Sequence, residues 1–174
     1  MSGYYNESGN KFLAFLLPTT IYRRLILLDA DCLILRAPHH LFELPDEIPY
    51  AAPKAYWYWK KRKFQDSAFW KVRSLRRSRQ DFLTSWFMTI RPSTSTFERL
   101  RRKLYELIEQ GIKDVYDMDL FNIALGEDVT ALPPVYGMLD FEFSENDNTE
   151  MGATLDEIIN GEKAQVIFVV LLSH

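Results

Sequence analysis

Cysteine is nearly absent from this chain: Cys32 is the single one in 174 residues. One thiol cannot close an internal disulfide, and a zinc site built on cysteines is excluded. Long apolar runs are missing as well. The longest, residues 12–17 and 166–172, fall far short of the ~20 residues a membrane helix needs. The opening Met1-Ser2-Gly3-Tyr4-Tyr5 carries no basic stretch followed by an apolar one, so no signal peptide is expected. Neither sign of charge dominates. The formal net charge is −3, which gives the chain as a whole no bias toward nucleic acid or membrane. No internal repeat is visible. These absences lead to the expectation of a soluble protein without a membrane segment, with the cytoplasm preferred to the secretory pathway.

What remains is an ordinary globular composition, 47% hydrophobic and 26% charged, rich in aromatics at 14%. The length suits a single domain over residues 1–174. Residues 12–17 read as the end of a helix stopped by Pro18. Leu25-Ile26-Leu27-Leu28 is a short continuous apolar run, the pattern of a buried strand. It ends in Asp29-Ala30-Asp31, after which Leu33-Ile34-Leu35 resumes the apolar character. Pro38, Pro45, Pro49 and Pro53 then space out a looping stretch. Residues 82–90 read as a second buried strand, ended by Pro92. Ser95-Thr96-Phe97-Glu98 has the form of a capping box. Phe97, Leu100, Leu104, Leu107 and Ile108 follow at helical spacing up to Gly111. Residues 116–125 predict a second helix, and 129–132 a short strand. Residues 144–153 read as a flexible loop, 154–161 as a short helix, and 166–172 as a final strand. Strands alternating with helices predict an α/β fold in which helices flank a sheet.

Asp29 and Asp31 stand where a buried strand ends. In an extended chain residues two apart face one side, about 6–7 Å apart along the backbone. Two such charges repel by roughly 2–3 kcal/mol at an effective dielectric near 20. The nearby residues able to offset this are Arg23 and Arg24. A divalent cation would also offset it, and hard carboxylate oxygens suit Mg²⁺ or Mn²⁺ held together with substrate phosphates. Open α/β sheets bind ligands at the carboxyl ends of their strands, where this pair lies. By itself an Asp-x-Asp is more often a turn that caps backbone amides. It also occurs after a hydrophobic strand in phosphatases of the haloacid dehalogenase type. That class wants Thr or Val where this chain has Leu33.

The stretch Tyr22-Arg23-Arg24-Leu25-Ile26-Leu27-Leu28-Asp29-Ala30-Asp31-Cys32-Leu33-Ile34-Leu35 resembles the signature of the glycogenin-like glycosyltransferases (galactinol synthase-like, family eight). Leu41-Phe42-Glu43-Leu44-Pro45 and Ala51-Ala52-Pro53 continue the resemblance. So do Leu83-Thr84-Ser85-Trp86-Phe87-Met88-Thr89-Ile90-Arg91-Pro92-Ser93, Asp117-Met118-Asp119-Leu120-Phe121-Asn122 and Leu132-Pro133-Pro134-Val135-Tyr136. The resemblance implies a GT-A fold, a mixed sheet with flanking helices, and transfer of a sugar from a nucleotide donor, UDP-linked, to a carbohydrate or protein acceptor with retention of configuration. It implies Mn²⁺, or Mg²⁺, on Asp29 and Asp31. It places Lys11, Asp29, Ala30, Asp31, Thr84, Ser85, Asp117 and Met118 around the donor, and Lys11 and Asp117 in catalysis. Lys11 would stabilise the charge of the leaving diphosphate.

The chain also departs from that pattern. The family opens with a strand and helix that hold uracil and ribose, and only ten residues precede Lys11, so that unit is expected to be missing. A third metal ligand, a His in a late strand, is replaced by Phe168, and no Lys-Pro-Trp follows. Thr84 and Trp86 replace the usual Asn and Gly of the sugar-pocket strand, and Gly137 replaces the Asn after Tyr136. Apolar surface left by the missing unit would promote self-association. Residues 56–80 hold Tyr56-Trp57-Tyr58-Trp59 and nine basic residues opposed only by Asp66. They read as an insertion that packs its aromatics and solvates its charges, or as an acceptor-binding loop. A single-stranded nucleic-acid surface is the competing interpretation, but no nucleic acid is expected as partner. Three functions stay open: a metal-dependent glycosyltransferase, a haloacid dehalogenase-like phosphotransferase with Asp29 as nucleophile, and a non-catalytic remnant that binds partners.

Overall fold

A computed structural model describes residues 9–34, 37–55, 82–112, 115–125, 128–132, 136, 138–139 and 168–170. The expected insertion at 56–80, loop at 144–153 and helix at 154–161 lie outside the described residues, apart from which the expected elements can be compared directly.

The chain enters as a 3-10 helix, Gly9–Leu16, with Phe12 and Phe15 buried. A spacing of three brings both rings to one side of such a helix. Strand β1 is Leu25–Leu28 and β2 is Cys32–Ile34. A second 3-10 segment, His39–Glu43, precedes β3, Tyr50–Pro53, and β4 is Phe87–Ile90. Helix α1 is Thr94–Glu109 and α2 is Asp117–Leu125. Strands β5 (Val129–Leu132), β6 (Met138–Leu139) and β7 (Phe168–Val170) complete the order.

The main sheet has the order β1-β4-β3-β5, and β2-β7-β6 form a smaller one. β4 runs antiparallel to both β1 and β3, while β3 and β5 are parallel. β7 lies antiparallel to β2 and parallel to β6. The sheet is therefore mixed, as expected. β3 falls in the stretch read from its prolines as looping. Its four residues are all buried, and small Ala51 and Ala52 fit a strand enclosed on both faces. Pro49 precedes the strand and Pro53 ends it, so neither interrupts the ladder. β1 was expected to be buried, but it is half-buried throughout and has β4 as its described neighbour. The second strand, expected over 82–90, is regular only from Phe87. Upstream, Leu83 makes an isolated bridge to Lys54, and residues 85–86 bend.

Strand alternation divides the core into two. Leu25, Leu27, Tyr50, Ala52, Met88 and Ile90 face one side, with the 3-10 helix, α1 and α2 packed over them through Phe12, Phe15, Leu100, Leu107, Leu120 and Phe121. Ile26, Leu28, Ala51 and Phe87 face the other, covered by Leu41, Leu44, Ile48 and Tyr136. Arg24 keeps the parity of this second face. The residue is only 7% exposed, and its guanidinium donates to the carbonyls of Leu44, Pro45 and Ile48 at 2.9–3.1 Å and ties the 44–48 segment to the start of β1. Helix α1 begins two residues earlier than its capping-box pattern suggests. Ser93, not Ser95, is the N-cap, and its hydroxyl accepts from the Thr96 N–H. Gly111, at φ 79°, ends the helix as expected. Its N–H bonds the Ile108 carbonyl and that of Ile112 bonds Leu107, the paired closure that needs a left-handed residue.

Candidate functional site

Three elements meet beyond the end of β1. Asp29 continues the parity of Leu25 and Leu27, so it projects toward the helical side of the sheet. The 3-10 helix there carries Lys11, and the first residue of α2 is Asp117. The Lys11 ammonium forms ion pairs with Asp29 and, at 2.5 Å, with Asp117. It also donates to the Ser85 carbonyl at 3.2 Å. The Ser85 hydroxyl donates to Asp117 Oδ2 at 2.7 Å. An ammonium has three protons, and all three have acceptors here. The side chains of Lys11 and Asp117 are only 17% and 13% exposed, that of Asp29 36%.

Electrostatics follow from this enclosure. Burial alone would lower the Lys11 pKa, but Asp117 and Asp29 outweigh it and the ammonium is held above its ordinary value. Burial pushes the Asp29 carboxyl up. Lys11 pulls it back, and the charges of Asp117 and Asp31 push it up again. Burial and the two aspartates drive the Cys32 thiol to about 11, which leaves it neutral and unreactive at physiological pH.

The chain around Asp29 and Asp31 is not extended, in contrast to the sequence-based expectation. The Cys32 N–H bonds the Asp29 carbonyl at 3.2 Å, closing a tight turn over residues 29–32, and the Asp29 N–H bonds the Trp86 carbonyl at 2.9 Å. The change of direction is needed to send β2 into the smaller sheet. Ala30 and Asp31 are exposed at the turn. Arg23 and Arg24, expected to be the nearby offsets, reach neither acid. Arg23 pairs with Asp46 at 2.8 Å, and Arg24 is committed to carbonyls. The cation that does offset Asp29 comes from 18 residues upstream.

The other expected site residues divide. Ser85 and Asp117 join Lys11 and Asp29 directly. Met118 is half-buried one residue along α2, and its carbonyl accepts from Asn122 at 2.8 Å. Thr84 is fully buried, with a hydroxyl that has no partner among the described residues. Sequence reasoning missed Asn122 as a supporting residue. Its amide accepts from the Leu83 N–H at 2.9 Å and donates to the Leu83 carbonyl at 2.7 Å. It takes the place of a neighbouring strand for Leu83 and docks α2 against the 83–85 bend, which brings Asp117 within reach of Ser85. The available signal was a lone amide inside the apolar run Leu120-Phe121-Asn122-Ile123-Ala124. Asp119, also overlooked, accepts from the Tyr116 N–H at 3.2 Å and caps the start of α2.

The donor atoms suit a hard divalent cation. Asp29 is a partly desolvated carboxylate beside a second acid, and two carboxylates completed by substrate phosphates is a common set for Mg²⁺ or Mn²⁺. Among the described residues, no group of three or more His, Cys, Asp or Glu could hold a metal. At the position expected to supply a third ligand, Phe168 pairs in register with Ile34. No helix among the described residues is long and apolar enough to cross a membrane.

No protein-family model matches the chain. It is 32% identical over 144 residues to a protein of Gibberella zeae named Glucose N-acetyltransferase 1, an alignment that covers 82% of the chain and 27% of that relative. A Candida glabrata protein of the same name is 44% identical over 54 residues, 31% of the chain and 10% of the relative. The chain thus spans only about a quarter of the first relative's length or less. Among solved structures, the WbbM bifunctional glycosyltransferase superposes with a TM-score of 0.68 at 16% identity, over 96% of this chain and 31% of that one. The galactosyltransferase LgtC, in complex with donor and acceptor sugar analogues, gives 0.65 at 11% identity, over 95% and 58%. Mouse xyloside xylosyltransferase 1 gives 0.57 at 14% identity, over 99% and 66%. The fold is that of the GT-A glycosyltransferases, as the sequence resemblance implied.

Proposed function

We propose that the chain is the donor-handling part of a glycosyltransferase that moves a sugar from a UDP-linked donor to a carbohydrate or protein acceptor, with retention of configuration and with Mn²⁺ or Mg²⁺ on Asp29 and Asp31. The observation that carries this reading is the convergence of Lys11, Asp29, Ser85 and Asp117 beyond the end of β1 on a GT-A fold. Two acids and an enclosed ammonium suit a ligand that is itself anionic and metal-bound, as a nucleotide diphosphate is. When bound, the cation would hold the donor's phosphates and offset the negative charge of the leaving group.

The chain's own residues supply the rest. Lys11 supplies a positive charge close to where a leaving diphosphate would gain negative charge, in surroundings dry enough to make that charge effective. Asp117 holds Lys11 and accepts from Ser85, so its carboxylate stands oriented at the place where sugar hydroxyls would be read. Asp29 and Asp31 present oxygens from a turn whose backbone is tied to Trp86, which limits their movement. The neighbouring proteins of known structure support a sugar-nucleotide ligand, because one of them holds donor and acceptor sugar analogues. The phosphotransferase alternative loses its footing with the GT-A fold.

The test is release of UDP from a panel of UDP-sugars in the presence of Mn²⁺, with water or simple sugars as acceptor. UDP release that depends on Mn²⁺ and falls at least about 100-fold in Asp29→Asn supports the reading. The name Glucose N-acetyltransferase 1 carried by the two relatives speaks instead of acetyl transfer to glucose, and a parallel arm with acetyl-CoA and glucose covers it. Release of CoA without UDP release would overturn glycosyl transfer in favour of acetyl transfer.

A further inference from the structure

We infer that Lys11 is an exchangeable occupant of the acid cluster, neutralising Asp29 until a divalent cation and a nucleotide diphosphate arrive together, then giving up Asp29 to the cation and turning to the phosphates. The inference rests on the proposed glycosyl-transfer reading of the same site and adds an order and a coupling to it. Its ground is a count of partners. Lys11 has three protons, and Asp29, Asp117 and the Ser85 carbonyl accept all of them. None is left for a phosphate, and Asp29 cannot offer a cation the oxygen that Lys11 holds. The same ammonium therefore competes with a cation for Asp29 Oδ1 and has no proton left for a phosphate, and removing it from Asp29 favours both ligands.

Asp117 makes the exchange feasible. It is the more enclosed of the two acids and keeps its own bond to Ser85, so Lys11 can swing about that anchor without losing every partner. A cation arriving alone must displace an ammonium that then has one acid instead of two. A cation arriving with a diphosphate leaves the ammonium a new anion. Metal and nucleotide therefore strengthen one another's binding, and by linkage the factor is the same in both directions.

Free Mn²⁺ can be followed by its electron paramagnetic resonance signal in titrations of the wild type and Lys11→Met, each with and without UDP. In the wild type UDP should tighten Mn²⁺ binding by about tenfold or more. In Lys11→Met, Mn²⁺ alone should bind several-fold tighter, and the gain from UDP should shrink. Equal or weaker Mn²⁺ binding in the variant overturns the exchange. A second readout leaves the three protons of the ammonium in place: the ¹⁵Nζ signal of Lys11 in ¹⁵N-labelled wild type, assigned by its loss in Lys11→Arg. It should shift when Mg²⁺ and UDP are added together, and an unmoved signal overturns the exchange even if Lys11→Met fails to fold. If the wild type binds Mn²⁺ with UDP but Lys11→Met binds Mn²⁺ alone no tighter than the wild type does, the exchange alone falls. If the wild type binds neither ligand even with both present, the site reading falls with it.

Discussion

Lys11 and Asn122 differ in what they hold, and each can be tested at its own position. Lys11 lies between two carboxylates, so its removal leaves two acids facing each other. Because Asp29 is more than a third exposed, solvent screening limits the cost, and Lys11→Met should lower stability by about 1–2 kcal/mol at neutral pH. The pH dependence has a definite sign. The folded pKa of Lys11 is raised above its ordinary 10.5, so its contribution is fully present below 10.5 and disappears as pH climbs through the higher folded value. Denaturant melts should show a constant gap between wild type and variant up to about pH 10, closing above it. Asn122→Ala leaves the Leu83 N–H and carbonyl unpaired in a buried place, with an expected loss of about 3 kcal/mol in urea unfolding. Asn122→Asp keeps the acceptor for the Leu83 N–H but not the donor for its carbonyl, and should recover only part of that. An Asn122→Ala protein as stable as the wild type would contradict the role given to the amide. The Asp29-Ala30-Asp31 motif was legible in the sequence, and so, through resemblance, were Lys11, Ser85 and Asp117. The partner of Asp29 was not, because an ion pair across 18 residues depends on how a 3-10 helix meets a strand end, which local pattern does not encode. Asn122 escaped for a similar reason: its partners are the backbone of a bend 39 residues upstream.

Elements were readable where a period or a cap announced them. β1, α1, α2 and β5 fall within a residue or two of their expected places, since helical spacing and short apolar runs survive without tertiary knowledge. β3 was obscured by prolines that frame a strand rather than break one. The regular part of β4 is shorter than its apolar run, because Asn122 and Pro53 take the backbone bonds of Leu83 and Thr84. The ends of α1 give two tests. Ser93→Ala removes the hydroxyl that caps the Thr96 N–H and should cost about 1 kcal/mol. Gly111→Ala would meet no atom within 4 Å, so its cost is conformational alone, about 1 kcal/mol for a left-handed residue. Thermal or urea melts of both variants check this. A Gly111→Ala protein as stable as the wild type would mean that the left-handed closure is not kept in solution.

At the scale of the molecule, a mixed sheet with helices on one face turns strand parity into a site. The side that buries Leu25 and Leu27 is also the side on which Lys11 and Asp117 wait for Asp29. The opposite face is tied by Arg24 and by Tyr136, which stacks on Phe87 and shares a 2.7 Å hydrogen bond with His40, and so it holds the strand ends still from behind. The GT-A fold was legible because several short blocks occur in one order, a property of the whole chain rather than of any block. The account turns on whether this cluster receives a metal-bound nucleotide. Isothermal calorimetry of UDP binding, run with Mn²⁺ and again with a chelator, asks that directly. Binding that requires Mn²⁺ and is lost in Asp29→Asn is the expected result. UDP binding of equal strength with chelator present, or no heat of binding in either condition, would contradict it.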